Sequence, residues 1–196
     1  MHKSLFFKSI RHFSKEKTPN KVVALFPGHG VGPEISEHVI SVFKSLRIPI
    51  TFEKHEIHTE VQTKDGDLIT QDAIDSIRTH KFALKGPFAT PIGKGYRSLN
   101  LTLRKKFDLY ANVRPCKTIH GIKTPYKDVD VITIRENTEG EYSGLEHCVV
   151  PGVVENLKII SEKACRQIAE YAFKFASEHN RKKVTVCHKA SIMYFL

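Results

Sequence analysis

Tryptophan is absent from these 196 residues and methionine occurs twice. No apolar run reaches the ~18 residues that a membrane-spanning helix needs, so no membrane partner is expected. Cys116, Cys148, Cys165 and Cys187 include no C-x-x-C pair. Zinc-ligand spacing is therefore missing, and a disulfide framework is not expected in so long a chain; the four read as free thiols in a reducing compartment. Acids are scarce at the start, where Lys3, Lys8, Arg11, Lys15 and Lys17 face only Glu16. That stretch also carries Ser4, Ser9 and Ser14, with Leu5, Phe6, Ile10 and Phe13 at helix-like spacing. Such a make-up predicts a mitochondrial presequence over residues 1–17 rather than a basic tail. The formal charge of +10 is thus partly a property of the leader. No module of interleaved aromatic and basic residues follows, and no nucleic-acid partner is expected.

What is present is an alternation of strand-like and helix-like segments. Val22 to Phe26 is a short apolar run ending in Pro27-Gly28-His29-Gly30-Val31-Gly32-Pro33, and Ile35, Val39, Phe43 and Leu46 then recur at helical spacing. A strand near Ile50 to Ile57 is followed by Thr70, an N-cap candidate, before Ile74 and Ile77. Phe82 to Lys85 is the next strand. Alternation of this kind predicts an α/β fold with parallel neighbours. In the second half, Leu109 to Val113 and Val129 to Ile134 read as strands and Val149 to Ile160 as mostly extended. Ser161 is expected to cap a long helix with Cys165, Ile168, Ala172 and Phe175 on one face, and Lys183 to Cys187 to form a last strand. The shift to Thr, Gly, Pro and Lys over 117–127 suggests a boundary between domains 18–116 and 117–196, although a long loop would have the same composition.

Three places carry chemistry. The glycine loop at 28–32 lacks the third glycine of a dinucleotide fingerprint, since Glu34 stands there, and a tight strand-to-helix turn explains it as well. In Ser98-Leu99-Asn100-Leu101-Thr102-Leu103-Arg104, Asn100 and Arg104 share a helix face. Arg114 and Arg135 each close a predicted strand, so three guanidiniums, whose planar forks suit carboxylates, could meet in one pocket. The densest segment, Arg135 to Tyr142, puts one arginine, three glutamates and a tyrosine into eight residues. Its crowding is expected to serve a polyanionic small molecule. Tyr142 and Lys189 are the acid–base candidates. Asp128 and Asp130 could ligate a metal, but a solvated turn accounts for them better.

Val22 to Ile35, Lys85 to Gly95, Tyr96 to Arg114, Val131 to His147 and Val184 to Met193 together resemble the isocitrate/isopropylmalate dehydrogenase family. Within it they are most similar to the catalytic-type subunits of mitochondrial NAD-dependent isocitrate dehydrogenases. Asp-Leu-Tyr-Ala-Asn-Val-Arg-Pro (108–115) and Arg-Glu-Asn-Thr-Glu-Gly-Glu-Tyr-Ser-Gly (135–144) carry most of that likeness. The resemblance implies a large α/β domain that is not a true Rossmann fold and a smaller α/β domain that builds a dimer. It also implies oxidative decarboxylation of isocitrate to 2-oxoglutarate with NAD, a step of the tricarboxylic acid cycle in the mitochondrial matrix. Ser98, Asn100, Arg104, Arg114 and Arg135 would hold the isocitrate carboxylates, Tyr142 would protonate the enolate, and Thr90 would lie near the nicotinamide. Lys189 would help deprotonate the substrate hydroxyl, serving the site of a partner subunit in a dimer or hetero-oligomer. Magnesium or manganese is implied as well, with its aspartate ligands expected beyond residue 196.

The sequence departs from the family pattern at His29, where an aspartate is usual, and at Ser191, where an asparagine is. The chain reads as C-terminally truncated, and on its own is expected to show little or no turnover. Two rival readings are 3-isopropylmalate dehydrogenase, against which polar Ser98 and Asn100 argue, and a non-catalytic assembly or regulatory fragment that binds citrate-like anions.

Overall fold

A computed structural model describes residues 20–57, 69–89, 98–189, 191 and 193. The expected presequence and Thr90 lie outside them. Contacts group the chain into two compact units, Met1–Leu99 and Asn100–Leu196.

The first unit is built on β1 (Lys21–Phe26), whose Ala24, Leu25 and Phe26 are buried. Consecutive burial, rather than alternation, marks a strand covered on both faces. It pairs in parallel with β2 (Ile50–Lys54) and β3 (Ala83–Lys85), giving the order β2-β1-β3. Helix α1 (Gly32–Ser45) follows β1, with Pro33 and Glu34 in its first turn, where a missing N–H and a carboxylate are both favoured. Its Phe43 meets Phe52 of β2 edge to face at 5.4 Å, whereas Ile35 and Leu46 of the expected apolar face are exposed. Thr70 caps α2 (Gln71–His80) as the sequence predicts, its hydroxyl accepting from the Ala73 N–H. Ala73 and Ile74 are buried, and α2 packs on β1.

Because β2 and β3 lie on opposite sides of β1, the sheet changes direction of growth at β1. The loops leaving β1 and β3 at their carboxyl ends flank the switch point, the place where open α/β sheets receive ligands. Here the two loops interlock through backbone. Gly86 N donates to Phe26 O at 2.7 Å and His29 N to Pro87 O at 2.8 Å. A Cβ on Gly28 would stand 2.2 Å from Pro87 O, and one on Gly32 2.0 Å from Pro27 O. The glycines therefore permit close loop packing, the strand-to-helix-turn alternative of the sequence reading. Gly32→Ala is expected to destabilise the protein by about 1–3 kcal/mol, the usual range for forced overpacking, measured as a lower denaturant midpoint at unchanged slope.

The second unit starts with α3 (Leu99–Lys106), whose Leu103 is buried. β4 (Ala111–Lys117) and β5 (Asp130–Glu136) form an antiparallel ladder from Ala111↔Glu136 to Lys117↔Asp130. The 117–127 segment is thus the loop of this hairpin, and a boundary at 116/117 would cut a paired strand; the compact units divide at Leu99/Asn100 instead. A second antiparallel pair joins β6 (Gly140–Val150) to β7 (Val153–Ile159), so the extended region begins well before Val149. Ser161 caps α4 (Glu162–Glu178), which packs against β5. Its inward face carries Ile168, Tyr171, Ala172, Phe175 and Ala176, while Cys165 is exposed. Residues 181–189 form no strand. A strand is defined by a hydrogen-bonded neighbour, and this run has none among the described residues.

Candidate functional site: an arginine–tyrosine cluster

The antiparallel register decides where the arginines of the second unit meet. Asn112 stands opposite Arg135, and Arg114 opposite Thr133. Side chains two apart on a strand share a face, so Asn112, Arg114, Thr133 and Arg135 lie on one side of the ladder. Arg114 Nε donates to Asn112 Oδ1 at 3.3 Å, which fixes its direction along that face. After β5 the chain turns through 137–139 and re-enters as β6, bringing Tyr142 back to Arg135, whose guanidinium lies 5.3 Å from the ring centroid. Arg104, from the last turn of α3, approaches the same ring at 5.0 Å. Lys105 beside it donates to Ser143 O at 3.2 Å, tying α3 to β6.

Charge pairing separates these arginines from three others, though not from Arg47, which is likewise without an ion pair among the described residues. Arg78, Arg166 and Arg181 each sit within ion-pair distance of a carboxylate: Asp75, Glu162 and Asp130. Among the described residues Arg104, Arg114 and Arg135 have no such partner. Cations that approach one another without an anion between them repel. Arg135 acts electrostatically on Glu141, whose carboxyl it helps Lys158 to hold low, and guanidinium forks suit carboxylates.

The glutamates of the 135–142 segment do something other than the sequence suggested. Glu136 turns back on its own loop, accepting from the Thr138 N–H at 2.8 Å, the Thr138 hydroxyl at 2.6 Å and the Glu139 N–H at 3.0 Å. Glu139 accepts from the Ser161 N–H at 2.8 Å and the Ser161 hydroxyl at 2.7 Å. Glu141 pairs with Lys158 across the β6–β7 hairpin at 2.8 Å. All three carboxylates are held by the scaffold, which leaves the arginines and Tyr142 to face a ligand. Asp130, considered for a metal, is taken up by Arg181.

Four carboxyls titrate low: Glu136, Glu141, Asp130 and Glu53. Burial pushes Glu136 up, but donation from the Thr138 hydroxyl and from the N–H groups of Glu139, Thr138 and Asn137 outweighs it. Glu141 is lowered by Lys158, Asp130 by Arg181, and Glu53 of the first unit by Ser76 and His80. A carboxyl depressed on folding contributes stability above its unfolded pKa, and that contribution disappears as pH falls through the folded value. Stability is therefore expected to be flat near neutrality and to decline as pH drops below about 4.5, the ordinary glutamate value, which denaturant melts at stepped pH would record.

Of the other expected site residues, Asn100 lies one turn before Arg104 on α3, with Ser98 just ahead of the helix in the chain. Lys189 is exposed and makes no hydrogen bond, ion pair or ring contact with any described residue. Sequence reasoning passed over Asn112, although its position two residues before Arg114 places both on one strand face. Among the described residues no three His, Cys, Asp or Glu side chains gather to hold a metal.

These features define a two-unit α/β protein in which Arg104 and Arg135 meet at Tyr142. A match to the isocitrate/isopropylmalate dehydrogenase family covers residues 22–195, and the chain belongs to that family of oxidoreductases. It is 59% identical over 174 residues to the probable mitochondrial isocitrate dehydrogenase (NAD) subunit alpha of Drosophila melanogaster, covering 88% of this chain and 46% of the relative. To the chloroplastic 3-isopropylmalate dehydrogenase of Solanum tuberosum it is 56% identical over 184 residues, 93% of this chain and 52% of the relative. The crystal structure of isocitrate dehydrogenase from Methylococcus capsulatus superposes with a TM-score of 0.78 at 38% identity, over 88% of this chain and 52% of that one. The chain thus spans about half the length of the curated relatives it matches.

Proposed function

We propose that this chain carries the substrate-anchoring part of an NAD-dependent isocitrate dehydrogenase subunit of the mitochondrial matrix. The observation behind this reading is that Arg104 and Arg135, neither of them ion-paired among the described residues, both face Tyr142, with Arg114 on the ladder face of Arg135. Isocitrate brings three carboxylates, and three guanidiniums can each take one through paired charge-assisted hydrogen bonds. Asn100, and Ser98 ahead of it, add neutral donors. Tyr142 holds its phenol proton beside the cations that would stabilise an enolate, in place to return it to carbon after decarboxylation. NAD supplies the hydride acceptor when bound, and Thr90, expected beside it, lies outside the described residues. Lys189, which makes no hydrogen bond, ion pair or ring contact with any described residue, is available to serve the site of a homologous partner subunit. Full turnover would then need the partner subunit.

The similarity to a 3-isopropylmalate dehydrogenase keeps that reading as the second one. An isopropyl group offers nothing to the Asn100 amide, whereas a carboxylate accepts from it, and a donor left unpaired opposes the wrong ligand. Calorimetric titration of the chain with isocitrate and with 3-isopropylmalate separates the two. Isocitrate is expected to bind at least about tenfold more tightly, with affinity falling as salt rises. Tighter binding of 3-isopropylmalate would reverse the assignment, and no binding of either would remove it.

A further inference from the structure

His29 is the one residue of the 28–32 loop whose side chain ties strands together. Its Nδ1 accepts a hydrogen bond from the Ala89 N–H at 3.1 Å. Its Nε2 lies 3.0 Å from the carbonyl oxygen of Ile57. A ring nitrogen that accepts from an N–H carries no proton, and one that meets a carbonyl must carry one. The two contacts together therefore specify a neutral imidazole protonated on Nε2 alone.

Each contact reaches the carboxyl end of a different strand. His29 follows β1, Ile57 follows β2 and Ala89 follows β3, in a sheet ordered β2-β1-β3. One side chain thus spans all three strand ends at the switch point. The segment after β3 is gripped twice by this residue, because Pro87 O also accepts from the His29 N–H at 2.8 Å. Between these two bonds lies Phe88, buried, its ring meeting His29 at 6.4 Å and Phe26 at 6.5 Å, both edge to face. The backbone bond alone would hold Pro87; the imidazole extends the hold to Ala89, which is exposed.

We propose that His29 is a positioning residue that sets the course of the chain at Ala89, and so the entry into the segment from Thr90 onward that the proposed function places beside the cofactor. The part concerning the cofactor rests on that function; the clamp itself does not. The requirement is for an acceptor and a donor on one side chain. Glutamine can supply both, aspartate only the acceptor, and alanine neither.

Two measurements on the chain test the clamp. Nitrogen-15 spectra of the ring should show the neutral form protonated on Nε2, and hydrogen exchange at Ala89 should be about tenfold faster in His29→Ala than in the parent. His29→Gln and His29→Asp should both keep Ala89 within about twofold to threefold of the parent, since both retain an acceptor. A proton on Nδ1, or equal exchange at Ala89 in parent and His29→Ala, overturns the clamp. Should His29→Ala not fold, the ring spectrum of the parent decides it alone. Titration with NAD tests the cofactor part: affinity should fall about fivefold or more in His29→Ala and recover in His29→Gln. Unchanged affinity in His29→Ala, with Ala89 exchange accelerated, overturns the positioning role. A parent chain that binds no NAD while its ring and Ala89 behave as stated upholds the clamp and overturns the part concerning the cofactor.

Discussion

Arg135→Ala is expected to weaken isocitrate binding by about 10–100-fold, the loss of one charge-assisted pair worth about 1.5–3 kcal/mol. Arg135 is singled out because three independent features converge on it. It faces Tyr142 at 5.3 Å, stands opposite Asn112, the residue that directs Arg114, and has no carboxylate within ion-pair distance among the described residues. Removing it takes away one cation of the cluster and one wall of the tyrosine's surroundings. Arg135→Lys should fall between the two, because an ammonium keeps the charge but not the planar fork. Lys163→Ala, which removes one positive charge from the exposed side of α4, is the control for net charge and should leave affinity nearly unchanged. Calorimetry on the three variants at one salt concentration makes the comparison. Equal affinities for Arg135→Ala and Lys163→Ala would mean that general charge, and not this cluster, attracts the ligand.

Local chemistry was readable in the sequence wherever one residue type has one dominant reason to be there. Thr70 and Ser161 cap the helices that follow them, and Pro33 opens α1, because each satisfies a need of a helix end that neighbours in sequence can meet. Arg104, Arg114 and Arg135 were readable as a set, and the structure brings Arg104 and Arg135 to one tyrosine. Long-range pairing was not readable. The dense glutamates after β5 suggest a ligand until the positions of Ser161 and Lys158 are known, since nothing local shows that Glu139 and Glu141 already have partners. The 117–127 segment reads as a linker by composition, while only the ladder register reveals a hairpin loop. Lys183 to Cys187 has the residues of a strand, but a strand also needs an edge to pair with, and apolar alternation cannot supply that. Cys165 lies within about 20° of Ala172 around the helix yet is exposed, because periodicity marks a helix face without showing how far along the helix that face is covered.

Glu139→Ala should be the most damaging of the glutamate substitutions in the 135–142 segment, lowering stability by about 2 kcal/mol. In a capping box the third helical residue reaches back to the N–H of its own cap. Here that third residue is Ala164, which cannot do so, and it only donates its N–H to the Ser161 hydroxyl at 3.2 Å. Glu139 supplies the missing half from the loop after β5, accepting both from the Ser161 N–H and from its hydroxyl. Its negative charge also lies at the positive end of the α4 dipole. The same carboxylate therefore joins the loop that precedes Tyr142 to the helix that packs on β5, so its loss should loosen the cluster as well as the cap. Glu139→Gln keeps an acceptor oxygen and should lose less. Glu141→Ala breaks only a solvent-exposed pair with Lys158 and should change stability little. Thermal melts of the three variants provide the ranking, with a fall of roughly 10 °C for Glu139→Ala. If Glu139→Ala melts with Glu141→Ala, the carboxylate is not what holds α4 to the loop, and the scaffold assigned to this segment is wrong.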